Sequence, residues 1–433
     1  MATFLDFLLV VYGFYCAFRS FKKICFEKNT SIVNFVIGIV FVFCVAPILL
    51  NYLVGIPTYE AVYWYKIFIP SMTDKSVSTL YDIYILLSLI SLQIYSNNYT
   101  KKGKNLYNPT HLHFKGNFLS LMIASLPFLF IILSGTYEKY LSYGTQSLRG
   151  FDIDGSSYFT ILIALIFLSL FFSYGIYFNG KKKSRKQLAI FIIYNLLIIW
   201  IVGKRFIIAN IIIAVLFYLS NSDLSKLKRE RIYKFLPLTL AGLLLFSGFY
   251  LTTVKPLSDT SISSVYDMLR VDFGRDDVIK YTIDKEIIKD ERILDYRAQT
   301  FIGLLFQLVP RSLWPQKPYP HYMYLTSSLL GVKINKLPAG TTPSLYEMTI
   351  SNFGVLGFIL AILGLVVACR IADKVKNVDI KYILLTFITV ILTQSLDIYI
   401  VYIFILFFIF IVSCLRAGSG RLNTFVDSRL ERS

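Results

Sequence analysis

The chain has 433 residues, of which 56% are hydrophobic and 16% charged, and its formal net charge is +18. A soluble domain of ordinary composition is less hydrophobic and more charged, so the composition indicates an integral membrane protein. A strong positive charge is also typical of nucleic-acid-binding proteins, and the distribution of the basic residues decides between these two classes.

The hydrophobic residues are concentrated in runs long enough to cross a membrane. A bilayer core of about 30 Å requires roughly 20 apolar residues in a helix. The first run has no basic region before it and no small-residue cleavage site after it, so we expect a retained helix. The sequence predicts an all-α polytopic membrane protein with eleven spans, near residues 3–18, 32–54, 78–94, 118–134, 159–178, 188–202, 206–219, 235–252, 353–369, 382–393 and 399–414.

The apolar run 188–219 is interrupted near its middle by Gly203, Lys204 and Arg205. A single helix through this run would place two cations at the centre of the bilayer, which is costly. We therefore predict two helices joined by a very short turn, which places Lys204 and Arg205 at the membrane surface.

Lys and Arg residues are concentrated in alternate connections between the predicted spans. Six of these connections, counting the C-terminal tail, hold four or five Lys or Arg each, whereas the short intervening ones hold no more than two. By the positive-inside rule the basic set is cytoplasmic, which places the N-terminus outside and the C-terminus inside. Because the basic residues are spread over six connections and not gathered on one face, no nucleic-acid partner is expected.

A long polar insert separates the eighth and ninth predicted spans. We divide the chain into residues 1–253 with eight spans, a large extracytoplasmic loop or cap at 254–351, three further spans at 352–415, and a cytoplasmic tail at 416–433. Beyond Lys255 at its start, the insert holds eleven basic and eleven acidic residues, so its cations do not form a general basic surface. We expect a folded cap of short helices that partly dips to the membrane surface.

Cations on the predicted outer side are the strongest chemical signal. Arg311 and Lys317 lie in the Pro- and Trp-containing stretch 310–318, which we expect to be rigid. Arg presents planar donors that suit phosphate oxygens. A membrane-level cluster of these two residues with Lys204 and Arg205 would suit a lipid diphosphate. The alternative for Lys204 and Arg205 is that they only anchor helix ends at the interface.

Carboxylates are the candidate acid–base groups. Glu347 lies just before the chain re-enters the membrane and is the first candidate for orienting or deprotonating an acceptor hydroxyl. Its alternative role is to cap a helix. A second candidate group alternates acids with bases, and salt bridges within the group are its alternative explanation. This group is Arg270, Asp272, Arg275, Asp276 and Asp277.

Three further features are weaker signals. Asp152 and Asp154 are spaced so that they could hold Mg²⁺ or Mn²⁺ against a diphosphate, although such pairs occur readily by chance, and we favour no metal. His321 is either a structural histidine or a substrate contact. Trp314 could stack on a sugar, although aromatic residues also favour membrane interfaces.

Three sequence patches together resemble the oligosaccharide repeat-unit polymerases, the Wzy or O-antigen polymerase group. The similarity in topology covers nearly the whole chain, whereas the motifs cover only these patches. The first patch is Gly203, Lys204 and Arg205; the second is Pro310, Arg311, Trp314, Pro315, Lys317 and Pro318; the third is Gly340, Thr341, Thr342, Pro343, Ser344 and Glu347, followed by Asn352, Phe353, Gly354 and Gly357.

The resemblance implies a membrane glycosyltransferase with the GT-C-like polymerase or ligase architecture. Such an enzyme moves a growing glycan from undecaprenyl diphosphate to a lipid-linked repeat unit at the outer face of the cytoplasmic membrane, without a nucleotide or another cofactor. A chain-length regulator and a flippase are the implied protein partners. The implied catalytic residues are Arg311, Arg205 and Glu347. We expect the substrate to be bound by Lys204, Lys317, Trp314 and Thr341 from the same patches, and by His321, Arg270 and Arg275 on their chemistry alone.

Two other functions remain open from the sequence. A ligase of the same architecture would transfer finished glycan from the same lipid diphosphate to another acceptor. A transporter of lipid-linked oligosaccharide should show charges inside its spans and pseudo-repeated halves. Neither feature is visible in the sequence.

Overall fold

The computed structural model describes residues 4–27, 30–60, 63–102, 118–135, 137–140, 155–179, 184–202, 205–221, 261–307, 309–337 and 340–394, with Glu230, Tyr233 and Leu396 as single positions. Every regular element of three or more residues in these ranges is helical. The predicted spans near 235–252 and 399–414 lie outside the described residues.

In the described residues before the cap, seven long helices are present. The two helices predicted on either side of this short turn are present, because one helix ends at Val202 and the next begins at Arg205, and residues 203 and 204 lie outside the described residues. The seven helices are α1 (Phe4–Phe26), α2 (Ile32–Val54), α3 (Lys75–Lys102), α4 (Phe118–Leu133), α5 (Gly155–Asn179), α6 (Arg185–Val202) and α7 (Arg205–Ser220).

Five shorter helices form the next part of the chain, and we call residues 261–353 the cap. They are α8 (Ile262–Phe273), α9 (Asp276–Ile283), α10 (Gln299–Leu305), α11 (His321–Leu330) and α12 (Leu345–Phe353). Two long helices follow, α13 (Leu356–Lys374) and α14 (Val378–Thr393).

Six of the described helices are long and apolar enough to cross a membrane, namely α1, α2, α3, α5, α6 and α13. The apolar parts of α4 and α7 are shorter. The chain is therefore an all-α membrane protein with several spans, and the total of eleven stays a prediction.

Helix α2 contains a local irregularity that connects it to the cap. Ser31 caps its N-terminus by accepting a hydrogen bond from the Val33 N–H. The segment Phe41–Val45 then forms one π-helical turn, and Pro47 follows at the start of the next α-helical segment, where its missing N–H is tolerated. The carbonyl oxygen of Phe43 accepts a hydrogen bond of 3.1 Å from the backbone N–H of Arg275 in the cap.

Two cap helices are inserted more deeply than the sequence predicts. Ile279 of α9 and Tyr346 and Ile350 of α12 belong to the same buried core as the long helices. The Tyr346 hydroxyl lies 2.6 Å from the Ser88 hydroxyl, near the middle of α3. Hydrophobic burial therefore holds part of the cap among the helices and not only above their ends.

The segment between α2 and α3 packs against the cap. Tyr59 and Phe68 from this segment form a second buried cluster with Tyr281 of α9 and Leu325 of α11. The Phe68 and Tyr281 rings pack edge to face with their centroids 5.7 Å apart. The cap thus packs against a segment that precedes it by about 200 residues in the sequence.

Two glycines allow α12 and α13 to pack closely. Gly354 has a φ of +59°, which other residues adopt only with strain. A Cβ atom at Gly357 would lie 2.2 Å from the carbonyl oxygen of Thr349. The chain therefore turns directly from the cap into α13.

Candidate functional site

Arg311 and Lys317 brace the loop in which they lie. The Arg311 guanidinium donates hydrogen bonds of 2.8 and 3.2 Å to the carbonyl oxygens of Lys317 and Pro318, and it lies 3.8 Å from the centre of the Tyr319 ring. The Lys317 ammonium donates to the carbonyl oxygens of Gln307 and Val309. These contacts hold the loop together, and its rigidity stays a prediction. A guanidinium has five N–H donors, so Arg311 keeps others for a ligand.

Trp314 packs within the same loop. Its ring meets the Phe306 ring edge to face at 5.7 Å. The neighbouring Leu305 and Leu313 are each 78% exposed. This end of the cap therefore presents apolar side chains beside the two loop cations, as expected of a segment that touches a membrane surface.

Glu347 forms a capping box at the N-terminus of α12. Both carboxylate oxygens accept hydrogen bonds from the Ser344 N–H, and Oε2 also accepts one of 2.6 Å from the Ser344 hydroxyl. The side chain is fully buried. Burial raises the pKa of Glu347 to about 7, although the bonds from Ser344 act in the opposite direction. The carboxyl group is therefore divided between its protonated and ionised forms near neutral pH.

His321 lies beside Glu347. Its Nε2 lies 3.8 Å from Glu347 Oε1, beyond hydrogen-bond distance, and makes no hydrogen bond within the described part of the chain. Its Nδ1 lies 3.4 Å from the Thr300 hydroxyl. Burial lowers the pKa of His321 to about 3, so the ring is neutral at physiological pH. A carboxyl with a pKa near 7 can take up a proton at neutral pH, and the neutral imidazole beside it keeps a second charge out of this buried place.

Arg270 is engaged within the cap. It forms a two-pronged ion pair with Asp276, with both distances at 2.8 Å, and both side chains are buried. The adjacent Asp277 accepts hydrogen bonds from the Tyr59 hydroxyl and the Val278 N–H. Burial and the Asp276 charge raise the pKa of Asp277 to about 6. The salt bridge weighed as an alternative for these residues is therefore present, and substrate binding by Arg270 stays a prediction.

Arg275 connects the cap to a long helix. It donates from Nε and Nη2 to the carbonyl oxygen of Thr393 at the end of α14, and from Nη1 to the carbonyl oxygen of Gly274. Its side chain is buried and lies near the Phe43 ring. Thr341 is also buried, with its N–H donating to the Thr326 hydroxyl over 2.9 Å. Arg275 thus fixes the cap to α14, whereas Thr341 bonds within the cap, and substrate binding by both residues stays a prediction.

Several predicted residues fall outside what the structure describes. Lys204, Asp152 and Asp154 are not among the described residues, and the side chain of Arg205 is not described although α7 begins there. Within the described ranges, no cluster of three His, Cys, Asp or Glu side chains could hold a metal. Joint binding by Arg205 and Arg311 therefore stays a prediction.

Two cap residues were not predicted as functional from the sequence. Arg297 pairs with Glu286 and donates a 3.0 Å hydrogen bond to the carbonyl oxygen of Ser351 at the end of α12. Lys280 is 4% exposed on α9. A lysine within the apolar run 278–283 is the one signal that could have indicated a buried cation.

The fold and these contacts define an all-α membrane protein with a polar cap partly buried among its long helices. Two curated proteins, both named O-antigen polymerase, from Salmonella typhimurium strain LT2 and Salmonella typhi, are each 19% identical to this chain over 266 residues. The match spans 61% of this chain and 61% of each relative. No protein-family model matches the chain, and no solved structure is significantly similar to it. The predicted resemblance to O-antigen polymerases is thus confirmed as a distant similarity.

Proposed function

We propose that this protein is a polysaccharide repeat-unit polymerase of the cytoplasmic (inner) membrane, such as those that build O-antigen or capsule. The observation that carries the proposal is the similarity to two O-antigen polymerases over 61% of the chain. The folded polar cap between apolar helices supports it, because a polymerase of lipid-linked sugars needs a polar site at membrane level.

The proposed reaction is transfer of a glycan from undecaprenyl diphosphate to an acceptor hydroxyl at the non-reducing end of a lipid-linked repeat unit. The hydroxyl oxygen forms a bond to the anomeric carbon, and the bond from that carbon to the diphosphate oxygen breaks. The diphosphate leaves with the bonding electron pair, and the hydroxyl proton passes to a base. A diphosphate is a good leaving group, so the step requires neither a nucleotide nor another cofactor.

In this proposal, Glu347 receives the proton. Its pKa of about 7 suits a base at neutral pH. The capping box must open toward the acceptor for this step, since the carboxylate is fully buried. The neutral His321 beside it would then orient the carboxyl group, since its lower pKa leaves the proton on Glu347.

Arg311 and Arg205 are the proposed donors to the leaving diphosphate, with Lys204 and Lys317 beside them. Donors placed where charge develops stabilise the transition state more than the ground state. Trp314 would contact a sugar ring at the same end of the cap. In the predicted orientation, this end faces the outer side of the membrane.

The direct test is elongation of a purified lipid-linked repeat unit by the purified full-length protein. A ladder of products spaced by one repeat unit is the expected result. Transfer of preformed glycan to a different acceptor without a ladder would indicate the ligase reaction. In cells, deletion of the gene should leave single repeat units that are still exported on lipid. Accumulation of these units on the cytoplasmic side would instead indicate that the protein is a transporter.

A further inference from the structure

A polar cavity of about 410 Å³ lies where the ends of three long helices meet the cap. Its walls come from α1, the C-terminal end of α2, the start of α3, and α9. Exposed side chains form its rim and buried ones its floor. The polar residues that matter for its chemistry are Asp6, Asn51, Tyr52, Lys75, Ser78 and Lys280.

Lys280 is a buried cation on the floor of this cavity. It is 4% exposed, donates one hydrogen bond of 3.2 Å to the Ser78 hydroxyl, and lies 5.2 Å from the centre of the Tyr81 ring. No carboxylate of the described residues pairs with it. An ammonium has three N–H donors, so two have no acceptor in the described part of the chain. A buried charge without a counterion is costly, and an anion in the cavity would remove that cost.

The acidic residues on the same helical segment are engaged elsewhere. Each of them is bonded to another side chain, so none serves as the counterion of Lys280. Asp276 pairs with Arg270, Asp277 accepts from Tyr59, and Asp284 accepts from Ser71 and Lys289.

The other donors around the cavity also suit an anion. Lys75 and Ser78 lie in the first turn of the 28-residue helix α3, whose N-terminus carries a partial positive charge. The amide oxygen of Asn51 accepts a 2.8 Å hydrogen bond from Tyr266, which leaves the amide N–H groups as donors. Two ammonium groups, a hydroxyl and an amide at several angles match the oxygens of a phosphoryl group better than the two oxygens of a carboxylate.

Asp6 is the one acidic group in the lining, and it accepts a hydrogen bond from the Tyr52 hydroxyl on the opposite wall. Its negative charge would weaken anion binding without preventing it. The cavity lies between ends of apolar helices, so a lipid headgroup could enter while its hydrocarbon chain stays along the helices. A soluble anion has no such reason to bind at this level.

We propose that this cavity binds a diphosphate headgroup of a polyprenyl lipid, with Lys280 as its buried cation and Lys75 at its rim. The inference rests on the proposed function, whose reaction uses two lipid diphosphates at once. The loop that holds Arg311 can serve one of them, and the Lys280 cavity serves the other.

The test is binding of undecaprenyl diphosphate, which carries no sugar, to the full-length protein in detergent, followed by native mass spectrometry. Undecaprenol has the same hydrocarbon chain and no phosphate, so it is the control for binding through the chain alone. Inorganic pyrophosphate is the control for binding of a soluble anion. The variant is Lys280→Met, and the control is Lys333→Met, which removes an exposed cap lysine with the same change in charge.

Because the Arg311 loop can still bind one diphosphate lipid, Lys280→Met is expected to weaken binding of the second bound lipid about tenfold or more, since a hydrogen bond to a charged group is lost. Undecaprenol binding should be unchanged. Lys333→Met should match the wild type. Asp6→Asn should tighten binding of the diphosphate lipid, which keeps the proposal testable if Lys280→Met does not fold. Unchanged affinity in Lys280→Met and Asp6→Asn would overturn the site.

Pyrophosphate binding as tight as that of the lipid, with the same dependence on Lys280, would overturn the lipid assignment in favour of a free anion. This assay is independent of chain extension. Lipid binding that depends on Lys280, without a product ladder, would contradict the proposed polymerase function and still support the binding site. A product ladder together with lipid binding that does not depend on Lys280 would support the polymerase function and contradict the binding site.

Discussion

Arg275 donates two hydrogen bonds, of 3.2 and 2.9 Å, to the carbonyl oxygen of Thr393, the last residue of α14. The last four carbonyl groups of a helix have no partner within it, so a buried helix end needs such a donor. One cap side chain thereby fixes the end of a long helix that follows it by more than 100 residues in the sequence.

Arg275→Lys should lower the free energy of unfolding by about 2 kcal/mol. Lysine keeps the charge but cannot place two donors on one oxygen while a third meets Gly274. Thermal denaturation of the purified protein measures the loss. Arg292→Lys, at an exposed position, is the control, and an equal loss in both variants would show that the Thr393 contact contributes nothing specific.

Glu347→Gln and Glu347→Ala separate helix capping from proton transfer. Glutamine can still accept from the Ser344 N–H in a capping box, so it should destabilise the protein less than alanine, whose cost is about 1 kcal/mol or more. Both variants should lose chain extension if Glu347 is the base. Full extension by Glu347→Gln would reduce the residue to its capping role.

The pH dependence of stability should reveal the opposed titrations of Glu347 and His321. The pKa of Glu347 is raised to about 7 from 4.5, so its contribution to stability falls as pH rises through that window. The pKa of His321 is lowered to about 3 from 6.5, so its contribution rises with pH up to about 6.5. Between about pH 4.5 and 6.5 the two slopes cancel in the wild type.

In each single variant, the pH dependence of stability should therefore come from the one residue of the pair that is left. Relative to the wild type, Glu347→Gln should gain stability as pH rises from 4.5 to 6.5, whereas His321→Gln should lose it. Melting temperatures across this range measure both effects, with a limit of about 1.4 kcal/mol per pH unit for one proton. Parallel curves for the three proteins would contradict the burial of this pair.

Gly357→Ala should destabilise the protein by about 2 kcal/mol, because the added Cβ would overlap the Thr349 carbonyl oxygen and force α12 and α13 apart. Gly364→Ala, in the same helix, is the matched control, since no atom lies within 4 Å of its added Cβ. The control should be neutral or slightly stabilising, as alanine favours a helix over glycine. A similar loss in both variants would point to a general effect on α13.

The long helices could be predicted from the sequence because a bilayer requires each apolar run to satisfy its backbone locally. For that reason the break after Val202 was predicted within a residue or two, whereas α1 and α3 continue beyond their predicted ends at residues 18 and 94. Hydropathy identifies only the apolar part of a helix. Both helices continue into more polar residues, which a hydropathy pattern does not assign to the helix.

The cap contacts could not be predicted in the same way, because they join residues that are distant in the sequence. Tyr59 meets Asp277, and Ser88 meets Tyr346, across more than 200 residues in each case. The depth at which Glu347 and Lys280 are buried follows from such contacts. A sequence motif can indicate that Arg311 is important, but only the fold shows that it bonds to the carbonyl oxygens of its own loop.

The π turn Phe41–Val45 also sets the rotational phase of α2. One extra residue in a helical turn rotates everything beyond it by about 100° relative to a regular α-helix. At its N-terminal end, α2 is held by the contact between Ser31 and Asp373. If the helix were regular and kept this contact, Asn51 and Tyr52 at its C-terminal end would point away from the Lys280 cavity. A single inserted residue, invisible to hydropathy, thus aligns the two ends of this helix with two different neighbours.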